Sequence, residues 1–185
     1  HEHYNYWSLT SLETFFNHFS STIYRAEKID THGGSIRVYI KKSKKVKVEK
    51  SVRELLKAEE KYGIKNYQIY KDFEKKVYKI RENVRKNISQ LASKETKIIG
   101  YGSPAKATTA LNFFGISNEI KCIVEDNKLK QGKYLPGMRI PITSKENIKT
   151  KSDCAIVLAW NFMDEIKRKN VDLAHKFISI KDLEK

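Results

Sequence analysis

Apolar positions along this chain step by twos in some stretches and by threes and fours in others, and the changes of period divide it into elements. Leu9, Leu12, Phe15, Phe16 and Phe19 share one helical face behind Ser8, a residue suited to cap a helix start. Thr22 to Ile29 and Ser35 to Ile40 alternate as strands joined through Asp30-Thr31-His32-Gly33-Gly34, so a helix followed by an antiparallel pair is predicted. A unit of about forty residues is too small to bury a core of its own and is expected to pack on something larger. Lysine-rich Lys41 to Lys50 reads as a solvated connection, and a helix through Val52, Leu55, Leu56 and Ala58 should stop near Gly63. Tyr70, Phe73, Val77, Ile80, Val84, Ile88 and Leu91 then form the longest stripe, a helix that connects two parts of the chain or, alternatively, makes a short coiled-coil seam.

Beyond that helix, strand-like runs alternate with helical patterns. Ile98-Ile99, Glu119 to Val124, Cys154 to Ala159 and Phe177 to Ile180 read as strands, while a stretch behind Ser144 and Asn161 to Lys169 read as helices. The turn that organises this part lies in Lys97 to Phe113, KIIGYGSPAKATTALNF. A buried strand meets Gly100-Tyr101-Gly102 and passes into a helix with Ser103 as its expected cap and Pro104 at the first helical position. Such a turn presents backbone N–H groups to an anion, and Lys106 adds a charge. Gly100, Gly102 and Ala105 fit the permissive pattern G-x-G-x-x-G/A, and Glu125-Asp126 stands where a ribose-binding acid is expected. A strand-to-helix turn that binds nothing remains the alternative. The fold class is α/β: a Rossmann-like, mostly parallel sheet with flanking helices, preceded by a long helical connection and an N-terminal helix plus antiparallel strand pair.

Composition changes the picture in two respects. The chain has 185 residues and a formal net charge of +15, from 37 Lys and Arg against 22 Asp and Glu, which favours an anionic partner. The lysines are spread throughout, as on a solvated surface, and this argues against a focused nucleic-acid stripe. Cys122 and Cys154 sit in apolar runs and read as inert buried thiols, no zinc spacing is present, and no metal site is expected. With no leading signal peptide and no apolar run of about twenty residues, a soluble, cytoplasmic protein without a membrane partner is expected.

The segments HEHYNYWSLTSLE, THGGSIRVYI, GYGSPAKATTALNFFGI, KQGKYLPGMRIPI and LAWNF occur in this order. Together they resemble the C-terminal part of the S-adenosylmethionine-dependent sugar C-methyltransferases that act on nucleotide-diphosphate deoxysugars. The likeness runs through nearly the whole chain. It implies three regions: 1–42 as the tail end of a methyltransferase domain, 43–95 as a helical connection and 96–185 as a Rossmann-like C-terminal domain. It also implies a fragment or truncated product that lacks the family's zinc-binding module and the glycine loop for the methyl donor. S-adenosylmethionine would then belong to the full-length parent, no cofactor would be held firmly here, and this chain alone would be inactive. The partner implied is a nucleotide-diphosphate sugar, with a homo-oligomer also in view.

The family's base resembles the histidine of a Tyr-x-Glu-His motif, which falls on Glu2 and His3 with the tyrosine one position ahead of His1. Forming a carbon–carbon bond next to a keto group requires loss of a proton to give an enolate, and a histidine titrating near neutrality suits that step. Without the resemblance, His1-Glu2-His3 reads as flexible surface or part of a tag, and adjacent side chains converge poorly on one metal ion. His32-Gly33-Gly34-Ser35 matches a further motif, as a ligand-facing loop or a plain hairpin connection. Substrate contact is expected from His32, Gly100, Gly102, Ser103 and Lys106. Two other classes stay open: a nicotinamide-dinucleotide-binding oxidoreductase domain, supported by Gly100, Gly102, Ala105 and the acidic pair, and a basic nucleic-acid-binding module.

Overall fold

The computed structural model describes residues 5–92 and 96–185, with the backbone but not the side chain of His32. These form two compact units that divide between Phe73 and Glu74. In the first, α1 (Leu9–His18) opens on the expected Ser8 cap: the Ser8 hydroxyl accepts the Ser11 N–H while the Ser11 hydroxyl accepts the Ser8 N–H. β1 (Thr22–Ile29) and β2 (Ser35–Lys41) pair antiparallel, with Ile29 opposite Ser35 and a register shift between Ile23 and Arg25. α2 (Lys50–Tyr62) ends where predicted, at Gly63 with φ +82°.

Within the first unit the helix and hairpin pack on α2, which is smaller than the partner expected. Leu9 of α1, Ile23 and Ala26 of β1 and Val52 of α2 make a small core, extended by Leu12, Phe16, Leu55 and Leu56. A second tie crosses the same pair of helices. The Glu59 carboxylate of α2 accepts the N–H groups of Leu9 and Thr10 at 2.7 and 2.8 Å and the Thr10 hydroxyl at 2.6 Å. A negative group thus satisfies the free donors and the positive end of α1.

α3 (Tyr67–Ala92) begins in the first unit and continues in the second. Its stripe is only half used: Tyr70 and Phe73 are exposed, whereas Val84 and Ile88 are fully buried and Ile80 and Leu91 pack beside them. The second unit is a five-stranded sheet in the order β5-β4-β3-β6-β7, with every neighbouring pair parallel. The strands are β3 (Ile98–Tyr101), β4 (Ile123–Val124), β5 (Ile142–Thr143), β6 (Ser152–Val157) and β7 (Ala174–Ser179). Between them lie α4 (Ala105–Phe114) and α5 (Met163–Lys169). Side chains alternate across the sheet, as a sheet covered on both faces requires. Ile98, Ile123 and Ile156 join Val84, Ile88 and Leu111 in one core layer, and Ile99, Tyr101, Val124 and Val157 join Ile166 of α5 in the other.

The expected α/β, Rossmann-like class is therefore observed, preceded by a helix and an antiparallel pair. Details differ. The strand expected from Glu119 shortens to Ile123–Val124, although Lys121 N–H still donates to Ile98 and Gly100 N–H to Cys122. Pro104, not Ser103, is the residue that caps α4, and the helix starts at Ala105. The last helical pattern splits into a 3-10 turn at Trp160–Phe162 and the short α5.

Replacing Glu59 by Ala should free the first turn of α1 at a cost of roughly 2 kcal/mol, since hydrogen bonds to a charged acceptor are being lost. Faster amide exchange at Leu9 and Thr10 would show it, and unchanged exchange there would contradict the clamp.

Candidate functional site at the sheet reversal

From β3 the chain moves outward through β4 to β5, then returns to the other side of β3 as β6. The loops beyond the carboxyl ends of β3 and β6 therefore leave in opposite directions and open a crevice, the usual ligand position in such sheets. A cleft of about 300 Å³ lies there, lined by Tyr101, Ser103, Glu125, Asp126, Phe162 and Asn170 among others. Of the residues expected to contact substrate, Gly102 and Ser103 line this cleft, and Gly100 lies in β3 and is not part of the lining.

The two glycines answer to packing. A Cβ on Gly102, whose φ is +83°, would stand 2.9 Å from the Ala159 Cβ, and one on Gly100 would stand 3.0 Å from Ile123 Cγ1. Both positions let β3 approach its neighbours, and the space that glycine leaves is filled by protein.

The Ser103 and Gly102 donors of the turn are also engaged, Gly102 N–H by the Val124 carbonyl. Ser103 N–H donates to Glu125 Oε2 at 2.8 Å, and the Ser103 hydroxyl donates to the same oxygen. Glu125 Oε1 accepts the Asn127 N–H at 3.0 Å. The Lys130 ammonium donates to the Ser103 carbonyl at 2.8 Å and stands 3.8 Å from Glu125 Oε2. Burial pushes the Glu125 carboxyl upward. The hydrogen bonds from the Ser103 hydroxyl and from the Asn127 and Ser103 N–H groups, with the Lys130 charge, outweigh burial and hold it below the ordinary carboxylate range.

Beside it, the Tyr101 hydroxyl donates to Asp126 at 2.9 Å and accepts the Asn170 amide at 3.2 Å, while Asn170 also donates to the Ile166 carbonyl at 2.9 Å. Burial first, and then the Asp126 carboxylate, push the Tyr101 phenol up to about 12, so it remains a neutral donor throughout the physiological range. Asp126 itself is exposed, and a carboxylate that accepts one hydrogen bond from Tyr101 keeps further acceptor positions for a ligand.

Lys106 is exposed in the first turn of α4 and does not line the cleft. His32 lies in the 3-10 turn Thr31–Gly33 of the first unit, and its side chain is outside the described residues, as are Glu2 and His3. Asn170 and Lys130 gave no warning in the sequence: one looks like an ordinary helix end and the other is one cation among 37 Lys and Arg. Cys154 is buried and Cys122 half-buried, and burial raises both thiols, as inert cysteines require. Among the described residues no cluster of His, Cys, Asp and Glu could hold a metal ion, and no helix is long and apolar enough to cross a membrane.

Close to the cleft, the loop of KQGKYLPGMRIPI is fastened to α4. Asn112 donates to the Pro136 carbonyl at 2.9 Å, and its amide fills the space where a Gly137 Cβ would be. This α4-pinned loop and the parallel sheet with its glycine turn make up a domain of one family. The chain belongs to the C-methyltransferase C-terminal domain family, whose pattern matches residues 30–179. It is also 34% identical over 169 residues to the C-methyltransferase NovU of Streptomyces niveus. That alignment takes in 90% of this chain and 40% of NovU, so the chain spans about two fifths of this relative's length. The resemblance read from the five motifs is thus borne out.

Because Glu125 titrates lower in the folded state than in the unfolded chain, the unfolded chain takes up its proton first as pH falls. The carboxylate contributes stability that is complete above the unfolded carboxylate range, near pH 4.3, and is lost as pH drops through the lowered folded value. Urea denaturation of Glu125→Gln between about pH 7 and pH 3 should show a shallower loss of stability with acid than the parent protein. Identical slopes would mean that the carboxylate is not held as described.

Proposed function

We propose that this chain is the C-terminal portion of an S-adenosylmethionine-dependent methyltransferase that methylates a carbon of a nucleotide-diphosphate keto-deoxysugar. In this reading the second unit holds the substrate. The observation that carries it is the polar cleft at the sheet reversal in a domain of the C-methyltransferase family. The identity to NovU, itself a C-methyltransferase, supports the reaction class.

The chemistry assigned to this chain is proton removal and substrate placement. His3 is the proposed base that takes the proton from the carbon beside the keto group, and Glu2 orients the imidazole or offsets its charge. Asp126, held by the Tyr101 hydroxyl that Asn170 braces, offers fixed acceptor oxygens to the hydroxyl-bearing part of the substrate. Lys106, exposed two residues beyond the cleft-lining Pro104, offers a point charge to the diphosphate.

The glycine turn does not fit the methyl donor or a dinucleotide. Ala159 and Ile123 fill the space beside its glycines, and the Ser103 donors are spent on Glu125. The donor is therefore assigned to the part of the full-length enzyme that lies outside this chain, as all but 40% of NovU lies outside the alignment, and the isolated chain should show no turnover.

A thermal-shift titration with a thymidine-diphosphate sugar, NAD and S-adenosylmethionine at matched concentrations tests the reading. The nucleotide sugar alone should stabilise the chain, by roughly 2.7 kcal/mol at about 100 times its Kd, and Lys106→Ala should weaken the effect. Stabilisation by NAD alone would make the cleft a dinucleotide site, and none by the nucleotide sugar would remove the substrate-holding role.

A further inference from the structure

We infer that Glu125 sets the ligand specificity of the cleft: its carboxylate permanently takes the place that a phosphate would occupy at the β3–α4 turn, so the cleft receives hydroxyl-bearing groups and turns phosphate away. The inference deepens the proposed function and rests on its reading of the cleft as a binding site.

The geometry of the occupant is that of a bound anion. One carboxylate oxygen takes both the N–H and the hydroxyl of Ser103, and the other takes the Asn127 N–H. Lys130 approaches to 3.8 Å, as a cation approaches a phosphate, and its own hydrogen bond to the Ser103 carbonyl ties it to the turn. The Glu125 side chain is only 13% exposed. Its main-chain carbonyl is held in addition by the Gln131 amide at 2.7 Å, so the residue is anchored at both ends. A phosphate that entered would have to displace a desolvated, hydrogen-bonded carboxylate, or sit against it at the cost of like-charge repulsion.

The rest of the lining agrees. Asp126 and Glu165 add two further carboxylates, and Lys169 is paired with Glu165 across one turn of α5. What the cleft offers a ligand is mainly acceptors, which suit the hydroxyls of a sugar or ribose. The diphosphate of a nucleotide sugar is thereby left outside the cleft.

The Ser103 amide reports on this directly. In an isotope-labelled sample of the whole chain, inorganic phosphate added against a chloride control of equal ionic strength should leave the Ser103 amide resonance unmoved. In Glu125→Ala the freed donors should bind phosphate, with a saturable movement of the same resonance, whereas Glu125→Gln, which keeps an uncharged acceptor in place, should bind it less than the Ala variant. A saturable response of Ser103 to phosphate in the parent protein would overturn the inference, as would a folded Glu125→Ala variant that gains none. If that variant fails to fold, the parent measurement decides alone. Loss of nucleotide-sugar binding in the parent would instead count against the proposed function, so the two failures are distinguishable.

Discussion

The second unit depends on how closely β3 approaches its neighbours and on what closes its end. Gly100 and Gly102 let the strand lie against Ile123 and Ala159 with no room for a side chain. That contact sets the exit of the chain into α4, and the Glu125 carboxylate then closes the exit from the β4 side. With these two constraints in place, Tyr101 is buried where its hydroxyl meets Asp126 and Asn170, and the cleft acquires its polar wall.

The first unit solves a similar problem in a similar manner. α1 begins with free N–H groups, and Glu59, about fifty residues away in sequence, supplies a carboxylate to two of them. The chain carries 22 Asp and Glu against 37 Lys and Arg. Glu59 and Glu125 are both used internally at the starts of helical segments, where backbone donors and the helix dipole favour a negative group.

The elements were legible because their periods are clear. Ser8, Gly63, the hairpin strands and the parallel sheet all follow from capping residues, glycine and the spacing of apolar positions. The place of the cleft was legible too, since βα alternation puts ligands beyond the strand ends. What could not be read was how the glycine turn is used. G-x-G followed by a helix is written the same way whether an outside phosphate or a carboxylate 22 residues along the chain meets the donors. The α3 stripe misleads for a related reason: its spacing does not reveal that Tyr70 and Phe73 stay exposed while Val84 and Ile88 are buried. Asn170 and Lys130 acquire their roles only through contacts distant in sequence.

The cleft at the sheet reversal is the proposed meeting place of this chain and its substrate. Amide chemical-shift mapping of the labelled chain during titration with a thymidine-diphosphate sugar tests it most directly. Saturable shifts grouped at Tyr101, Gly102, Asp126 and Asn170 are expected. Saturable shifts elsewhere that leave those four unmoved would contradict it.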